Sequence, residues 1–399
     1  MEGEKIFADI TVLSLEQATV LPYLTYRLAQ DGATVIRIEH PVYGDPNRKV
    51  GEDRLGDPML RTYFLPINAG KKAITLNLGV PEGRELFYQL IRKLDADIFC
   101  TNQLPRNYQK LGIDYETLRG VKEDIIWFGV TGFGPESNEA AYDPILQARG
   151  GLMELTGEPD GPPMVLGIPL PDMGSSEHGY GLIMKALFVR ERTGKGTRID
   201  LAMFESTVSW LTVPITLTES FGRKITRRGN THEFFAPVSV YETRDGYVYI
   251  AVGNDRQWED MTTIPGFEHL RKEEYKTNAG RIADVKNLNR MINEVTKTYS
   301  TEELIKHFNE RTIPISKINT IKEVVKDPLI KRRLLFSKDP VTGTEITLAP
   351  PPYMTPYLEE RGRTLPFPPR FGEHNEEIYG EVLGLSSSKI KELKEKGII

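Results

Sequence analysis

An α/β fold, with a parallel sheet covered by helices on both faces, is what this 399-residue sequence predicts. Two observations in its first 135 residues carry the prediction. Short β-branched and aliphatic runs alternate with segments of helical period, and prolines and glycines punctuate the places where helices start and stop. A third observation, a β-hairpin pattern followed by charge-rich helices from about residue 228, adds a smaller α+β module.

The first strand covers residues 10–15, a helix opened by Pro22 runs to Gly32, and residues 33–39 form the second strand, completing a βαβ unit. The alternation returns as a strand at 73–78, a helix over 81–94, a strand at 97–101, a short helix near 115–119 and an apolar strand at 125–130. Ligands of open sheets of this kind bind beyond the carboxyl ends of the strands, so a site is expected in the loops after Leu15, Glu39, Thr101 and Val130. Tyr180, Ile183, Met184, Leu187 and Phe188 then recur at helical spacing, Thr193-Gly194-Lys195-Gly196 ends that helix, and residues 197–203 are strand-like. In the second module, residues 238–241 and 247–252 flank a turn at Thr243-Arg244-Asp245-Gly246. Helices fill 255–309, residues 313–318 are strand-like, a helix covers 321–325, and the module ends near Asp327-Pro328. Proline density from 349 to 369 predicts a long extended connection, with helix resuming from His374.

Composition excludes several roles. Lys plus Arg total 51 against 56 for Asp plus Glu, a formal charge of −5, which leaves no basic footprint for nucleic acid. The charged start Met1-Glu2-Gly3-Glu4-Lys5, with no long apolar stretch, reads as neither secretory signal nor membrane helix, so a cytoplasmic location without a membrane partner is expected. Cys100 is the single cysteine, which rules out disulfides within the chain and cysteine-based zinc clusters; its strand setting predicts inert packing. His40, His178, His232, His269, His307 and His374 are scattered without ligand spacing, and no metal is expected. No G-x-G-x-x-G follows the first strand, where Glu16-Gln17-Ala18-Thr19 stands, and the P-loop, H-E-x-x-H and G-x-S-x-G patterns are missing too.

Asp172 lies in Gly167-Ile168-Pro169-Leu170-Pro171-Asp172-Met173-Gly174, where a helix opens after the glycine- and proline-rich stretch 150–163. Such a carboxylate reads either as a helix cap or, beside a loop whose backbone approaches a bound molecule closely, as a reactive group. Further segments bear on the choice. They are Ala33-Thr34-Val35-Ile36-Arg37-Ile38-Glu39 with Gly44-Asp45, Asn68-Ala69-Gly70-Lys71-Lys72-Ala73-Ile74, and Leu111-Gly112-Ile113-Asp114-Tyr115. Thr131-Gly132-Phe133-Gly134, the loop at 155–163, residues 193–196, Gly253-Asn254-Asp255-Arg256-Gln257-Trp258 and Pro369-Arg370-Phe371-Gly372-Glu373-His374 follow. Together with Asp172 they resemble the class III coenzyme A transferases, the family that includes formyl-CoA transferase, carnitine CoA-transferase and α-methylacyl-CoA racemase.

The resemblance runs from end to end. It implies a Rossmann-like large domain over 1–225, a small domain over 226–328, and an extended connection with a C-terminal helix over 329–399 that returns to the large domain. It also implies an interlocked dimer, homomeric or paired with a homologous subunit, that takes acyl-CoA and carboxylic acids as substrates and holds no tightly bound cofactor. Asp172 matches the family's catalytic aspartate, which passes through an aspartyl mixed anhydride and an aspartyl-CoA thioester. Gln17 and Ala18 match the thioester end of CoA, where their backbone donors and those of Gly150-Gly151 are expected to hold a developing oxyanion. Asn102 and Lys110 match contacts to the pantetheine and phosphates, and Lys71 and Lys72 are expected to offset phosphate charge, the alternative for the lysines being solvated surface cations. Gln103 replaces the phenylalanine that follows this asparagine in many relatives, which takes away aromatic packing there. Tyr142, placed at the same CoA site, stands where the family's racemases carry a histidine as proton-transfer base. Arg149, Met153, Met164 and His178 are candidates for the acyl pocket. The expected activity is CoA transfer from an acyl-CoA donor, succinyl-CoA being an ordinary one, to a carboxylic acid. An acyl-CoA racemase and a noncatalytic subunit of a heteromeric transferase are the alternatives.

Overall fold

The computed structural model describes residues 7–399, so the charged residues 1–5 lie outside it. Two compact units divide the chain: one comprises the chain up to Leu152 with Val165–Phe221 and Pro328–Ile399, the other Met153–Met164 with Gly222–Asp327.

In the first unit β1 (Thr11–Leu15), β2 (Thr34–Glu39), β3 (Lys72–Thr75), β4 (Ile98–Thr101), β5 (Ile126–Thr131) and β6 (Thr197–Ala202) form one sheet in the order β3-β2-β1-β4-β5-β6. All neighbouring pairs are parallel. α1 (Val20–Gln30) and α2 (Pro81–Lys93) make the early crossovers, and the short α3 (Tyr108–Leu111) and α4 (Tyr115–Val121) lie between β4 and β5. α5 (Asp143–Arg149) and the long α7 (Leu170–Thr193) precede β6, and α8 (Met203–Val208) and α9 (Thr212–Phe221) follow it; the single turn α6 (Leu152–Leu155), between α5 and α7 in the chain, belongs to the second unit from Met153 on.

Strand side chains alternate between two layers. Leu13, Ile36, Ile38, Ile74, Phe99 and Trp127 pack with Leu86, Phe87, Leu90 and Ile91 of α2. Val12, Val35, Ile98, Cys100, Ile126 and Phe128 pack with Leu21, Leu24 and Leu28 of α1 and Ile183 and Ala186 of α7. Both faces are therefore buried, which is why these strands read as continuous apolar runs. Close approach of α7 depends on Gly179, where a Cβ would stand 2.5 Å from Leu24 and 2.7 Å from Phe128. The strand order reverses between β1 and β4, so their loops part and open a crevice at the carboxyl ends of the strands.

The second unit has an antiparallel sheet of β7 (Val238–Thr243), β8 (Gly246–Ala251) and β9 (Ile315–Lys317), the hairpin turning where the sequence predicts. α10 (Asp255–Met261), α11 (Asn278–Ala283), α12 (Val285–Thr296) and α13 (Thr301–Asn309) accompany it. Trp258, Leu288, Ile292, Leu304 and Phe308 pack on Val248 and Ile250. Ser300 and Glu303 cap α13 reciprocally. Residues 153–164, expected within 1–225, group with this unit because their polar partners lie there. Glu154 accepts from Thr226 and Arg227, each at 2.6 Å, and Gly229 N–H donates to Gly157 O at 2.9 Å.

The remaining chain, from Pro328, carries a hairpin that the sequence did not predict, β10 (Leu335–Lys338) with β11 (Glu345–Leu348). Asp339 shapes its turn by accepting from the Val341 N–H and the Thr342 hydroxyl. After the proline-rich connection the chain lies along β3. His374 N–H donates to Ala73 O, Thr75 N–H to Asn375 Oδ1 and Tyr379 OH to Thr75 O. A π-helical segment, Glu376–Val382, and a last helix, Ser387–Glu395, complete the layer.

Candidate active site

Two hollows open at the carboxyl ends of the strands, both formed by the first unit. The larger, about 700 Å³, is lined by Gln17, Ala18 and Thr19 after β1, Asn102 and Gln103 after β4, Thr131 at the end of β5, Tyr142, Asp143 and Gln147, and Asp172. The smaller, about 360 Å³, lies at the ends of β1, β2 and β3 and is lined by His40, Tyr43, Asn77 and Lys110 among others. Gln17 and Gln103 border both, so the two hollows adjoin.

Asp172 occupies the first turn of α7, whose own start, Pro169, provides no capping side chain. A neighbouring helix supplies the cap: Asp172 N–H donates to Asp143 Oδ2 at 3.2 Å. Gln147 steadies that carboxylate, donating to Asp143 Oδ1 at 2.6 Å while its own Oε1 accepts from Leu166 N–H at 2.9 Å. Ser176 Oγ lies 2.8 Å from Asp172 O and 2.5 Å from Val20 O, tying α7 to α1. Among the described residues nothing donates to the Asp172 carboxylate oxygens. Burial, and secondarily the Asp143 charge, push that carboxyl up to about 7, against the pull of the helix start toward the ionised form. Burial raises Asp143 as well.

Gln17, Ala18, Asn102, Tyr142 and Asp172 thus line one cleft, and Lys110 borders the adjoining hollow. Other expectations need correction. Gln17 N–H already donates to Asn102 Oδ1 at 3.2 Å and Ala18 N–H to Asp45 Oδ1 at 3.0 Å, so neither is free to hold an oxyanion. Gly150 and Gly151 spend their amides closing α5, on Leu146 O and Ala148 O. Asn102 also donates to Gln17 O at 2.8 Å, which makes it a latch on the β1 loop as well as a wall of the cleft.

Lys71 does not face the hollows. Its buried ammonium lies 2.9 Å from Glu16 Oε1 and also donates to Pro22 O and Asn68 Oδ1. Burial lowers Lys71 to about 8, whereas at Glu16 the burial penalty is outweighed by Lys71 and Arg37 and the carboxyl falls. These shifts leave the pair charged near neutrality. Glu16, Arg37, Glu39, Asp45, Arg48 and Lys71, three acids and three bases, form a buried cluster beneath the β1 and β2 loops. Lys72 points the other way and pairs with Glu377. Arg149 lies 4.2 Å from the Phe133 ring centroid and pairs with Glu139 at 2.9 Å. His178 stacks on Trp210 with Nδ1 2.7 Å from Ser206 Oγ, and neither it nor Arg149 lines the cleft. Met153 and Met164 belong to the second unit. Asp143 and Gln147 escaped the sequence reading, although they stand in the same segment as Tyr142.

A family model described as CoA-transferase family III matches residues 7–375. The chain is 32% identical to a succinate–glutarate CoA-transferase of Agrobacterium fabrum, over 94% of this chain and 95% of that protein. It is 29% identical to a human succinyl-CoA:glutarate CoA-transferase, covering 100% and 91% respectively. A succinyl-CoA:mesaconate CoA-transferase of Haloarcula hispanica is 32% identical, covering 96% and 98%. Among solved structures, a CAIB/BAIF family protein from Brucella suis superposes with a TM-score of 0.80 at 31% identity, over 94% of this chain and 98% of that one. The chain belongs to CoA-transferase family III, and it is an enzyme of that class.

Proposed function

We propose that this enzyme moves CoA from succinyl-CoA to a dicarboxylic acid of the glutarate or mesaconate kind, with Asp172 as the covalent carrier. The observation that carries the reading is the setting of Asp172, whose carboxylate accepts no hydrogen bond from the described residues and stands in the crevice where the strand order reverses. The relatives' names supply the acids. In the proposed sequence an Asp172 oxygen attacks the thioester carbonyl and CoA leaves as thiolate, giving a mixed anhydride. The thiolate then attacks the aspartyl carbonyl, releasing the donor acid and leaving an aspartyl-CoA thioester. The acceptor carboxylate attacks that thioester, and the thiolate, expelled a second time, takes the acceptor acyl group and frees Asp172. Bond making and breaking balance without an outside energy source, because each intermediate keeps an acyl group activated.

Lys110, beside the smaller hollow, suits the CoA phosphates, and Gln17 and Gln103 suit the pantetheine that would join the two hollows. The strand order supports a Rossmann-like description of the large unit. Exposed Trp210, Val213 and Phe221 on and beside α9 support a second chain, homologous or identical, in an interlocked dimer. No described helix is long and apolar enough to cross a membrane, and no described His, Cys, Asp and Glu cluster could hold a metal. We place the enzyme in the cytoplasm.

The test is a CoA-transfer screen of the purified protein against mono- and dicarboxylic acids. Wild type should form the acceptor's CoA ester and Asp172→Asn should lose at least about 10⁴-fold in rate. A tenth of wild-type turnover in that variant would remove Asp172 from the chemistry. Incubating a chiral 2-methylacyl-CoA in D₂O tests the racemase alternative, since transfer touches only the carbonyl carbon. Deuterium at the α-carbon without an acceptor acid would favour racemisation.

A further inference from the structure

Ala18 holds the left-handed backbone conformation, φ +63°, at the point where the β1 loop enters the cleft. A residue with a Cβ stays there only when its surroundings impose it. Side chains from two other loops do so. The Ala18 N–H donates to Asp45 Oδ1 at 3.0 Å, and the Ala18 carbonyl accepts from Asn47 Nδ2 at 2.7 Å. The Gln17 carbonyl and N–H are taken by Asn102. Three successive peptide groups, from the Gln17 N–H to the Ala18 carbonyl, are therefore fixed.

Asp45 is the hub of this arrangement. The oxygen that receives Ala18 also accepts from Asn47 N–H at 2.9 Å and so places the Asn47 side chain. The other oxygen lies 2.7 Å from Arg37 Nη2, and Asp45 N–H donates to Glu39 Oε2 at 3.0 Å. Asp45 itself is 1% exposed and does not line the cleft, whereas Ala18 and Asn47 do. Anchorage in the buried ionic cluster gives Asp45 a fixed position from which to hold a strained turn.

We propose that Asp45 is a positioning residue for CoA transfer: it imposes the left-handed turn at Ala18, directly and through Asn47, and thereby aims Gln17 and Thr19 into the cleft that contains Asp172. This rests on the reading that transfer takes place in that cleft. A purely structural Asp45 would serve only as the partner of Arg37.

A double-mutant cycle separates the two roles. Asp45→Asn, in protein shown to be folded by circular dichroism, should lower kcat about tenfold or more and change the KM for acyl-CoA by less than about threefold. Glycine enters the left-handed region without help, so the loss caused by Asp45→Asn should be at least about fivefold smaller when Ala18→Gly is already present. Wild-type kcat in folded Asp45→Asn, or an equal loss in both backgrounds, overturns the proposal. If Asp45→Asn does not fold, Asn47→Ala, which leaves the buried charges balanced, enters the same cycle with the same expectations. Asp172→Asn is measured alongside. Transfer surviving in it defeats the cleft reading, while the coupling between positions 18 and 45 is still read from the same kinetics.

Discussion

Replacing Asp172 by asparagine should stabilise the fold, and by an amount that depends on pH. The carboxyl titrates at about 7 in the folded protein, against 3.8 for an unperturbed aspartate. Between those values the folded state binds more protons at this group than the unfolded state, so the contribution of Asp172 to stability falls as pH rises through the window and is constant on either side. A tenfold change in proton affinity is worth about 1.36 kcal/mol, which sets a ceiling of about 4 kcal/mol. Because the carboxylate looks into an open cleft, solvent screening reduces the expected effect to about 2 kcal/mol. Asparagine keeps the shape and cannot ionise. Urea unfolding at one protein concentration should therefore find wild type and Asp172→Asn equally stable near pH 4, with the variant ahead by about 2 kcal/mol at pH 8. The same ionisation should give wild-type kcat/KM a rising limb near pH 7, since only the carboxylate is a nucleophile. Asp143→Asn removes the like charge and should move that limb to lower pH. A stability difference that is constant from pH 4 to pH 8 would refute the raised ionisation and the burial argument behind it.

Three other outcomes are expected. Lys110→Ala should weaken CoA binding at low salt and matter less at high salt, because an ammonium near phosphate acts through screened charge; an unchanged dissociation constant at low salt makes Lys110 a bystander. Lys71→Met should destabilise the protein by about 3–5 kcal/mol in denaturant titrations, by taking the nearest cation from buried Glu16 and leaving it only Arg37 at 3.7 Å, yet should not alter the salt dependence of CoA binding. Gly179→Ala should cost about 1–3 kcal/mol of stability, as a methyl group is forced between Leu24 and Phe128, and thermal unfolding at matched concentration will measure it.

Much of the large unit was legible because strands buried on both faces are written as apolar runs, which local sequence reveals. The hairpin at 335–348 was not, since Leu-Phe-Ser-Lys and Glu-Ile-Thr-Leu are too short and polar to stand out before their turn is known. In the site, the positions of Gln17, Asn102, Tyr142 and Asp172 came from motif resemblance, and they meet in one cleft. The Lys71-Lys72 doublet misled for a reason of geometry. Neighbouring residues at a strand start point to opposite sides, so Lys71 turns inward to Glu16 and Lys72 outward to Glu377, and no local pattern names either partner. Asp143 was missed because its importance arises only where α5 meets the start of α7.

The clasp along β3 has a consequence for how the molecule comes into being. The edge of that strand is sealed by His374 and Asn375, 301 and 300 positions after the residues they bond. A ribosome delivers the whole second unit in between. Through that interval β3 presents bare amides and carbonyls to any extended segment nearby, its own or a neighbour's. Closure over such a span is slow, and the wait is long enough for mispairing to compete. The clasp thus makes correct assembly of this edge of the sheet a late event, dependent on a segment that forms none of the strands it protects.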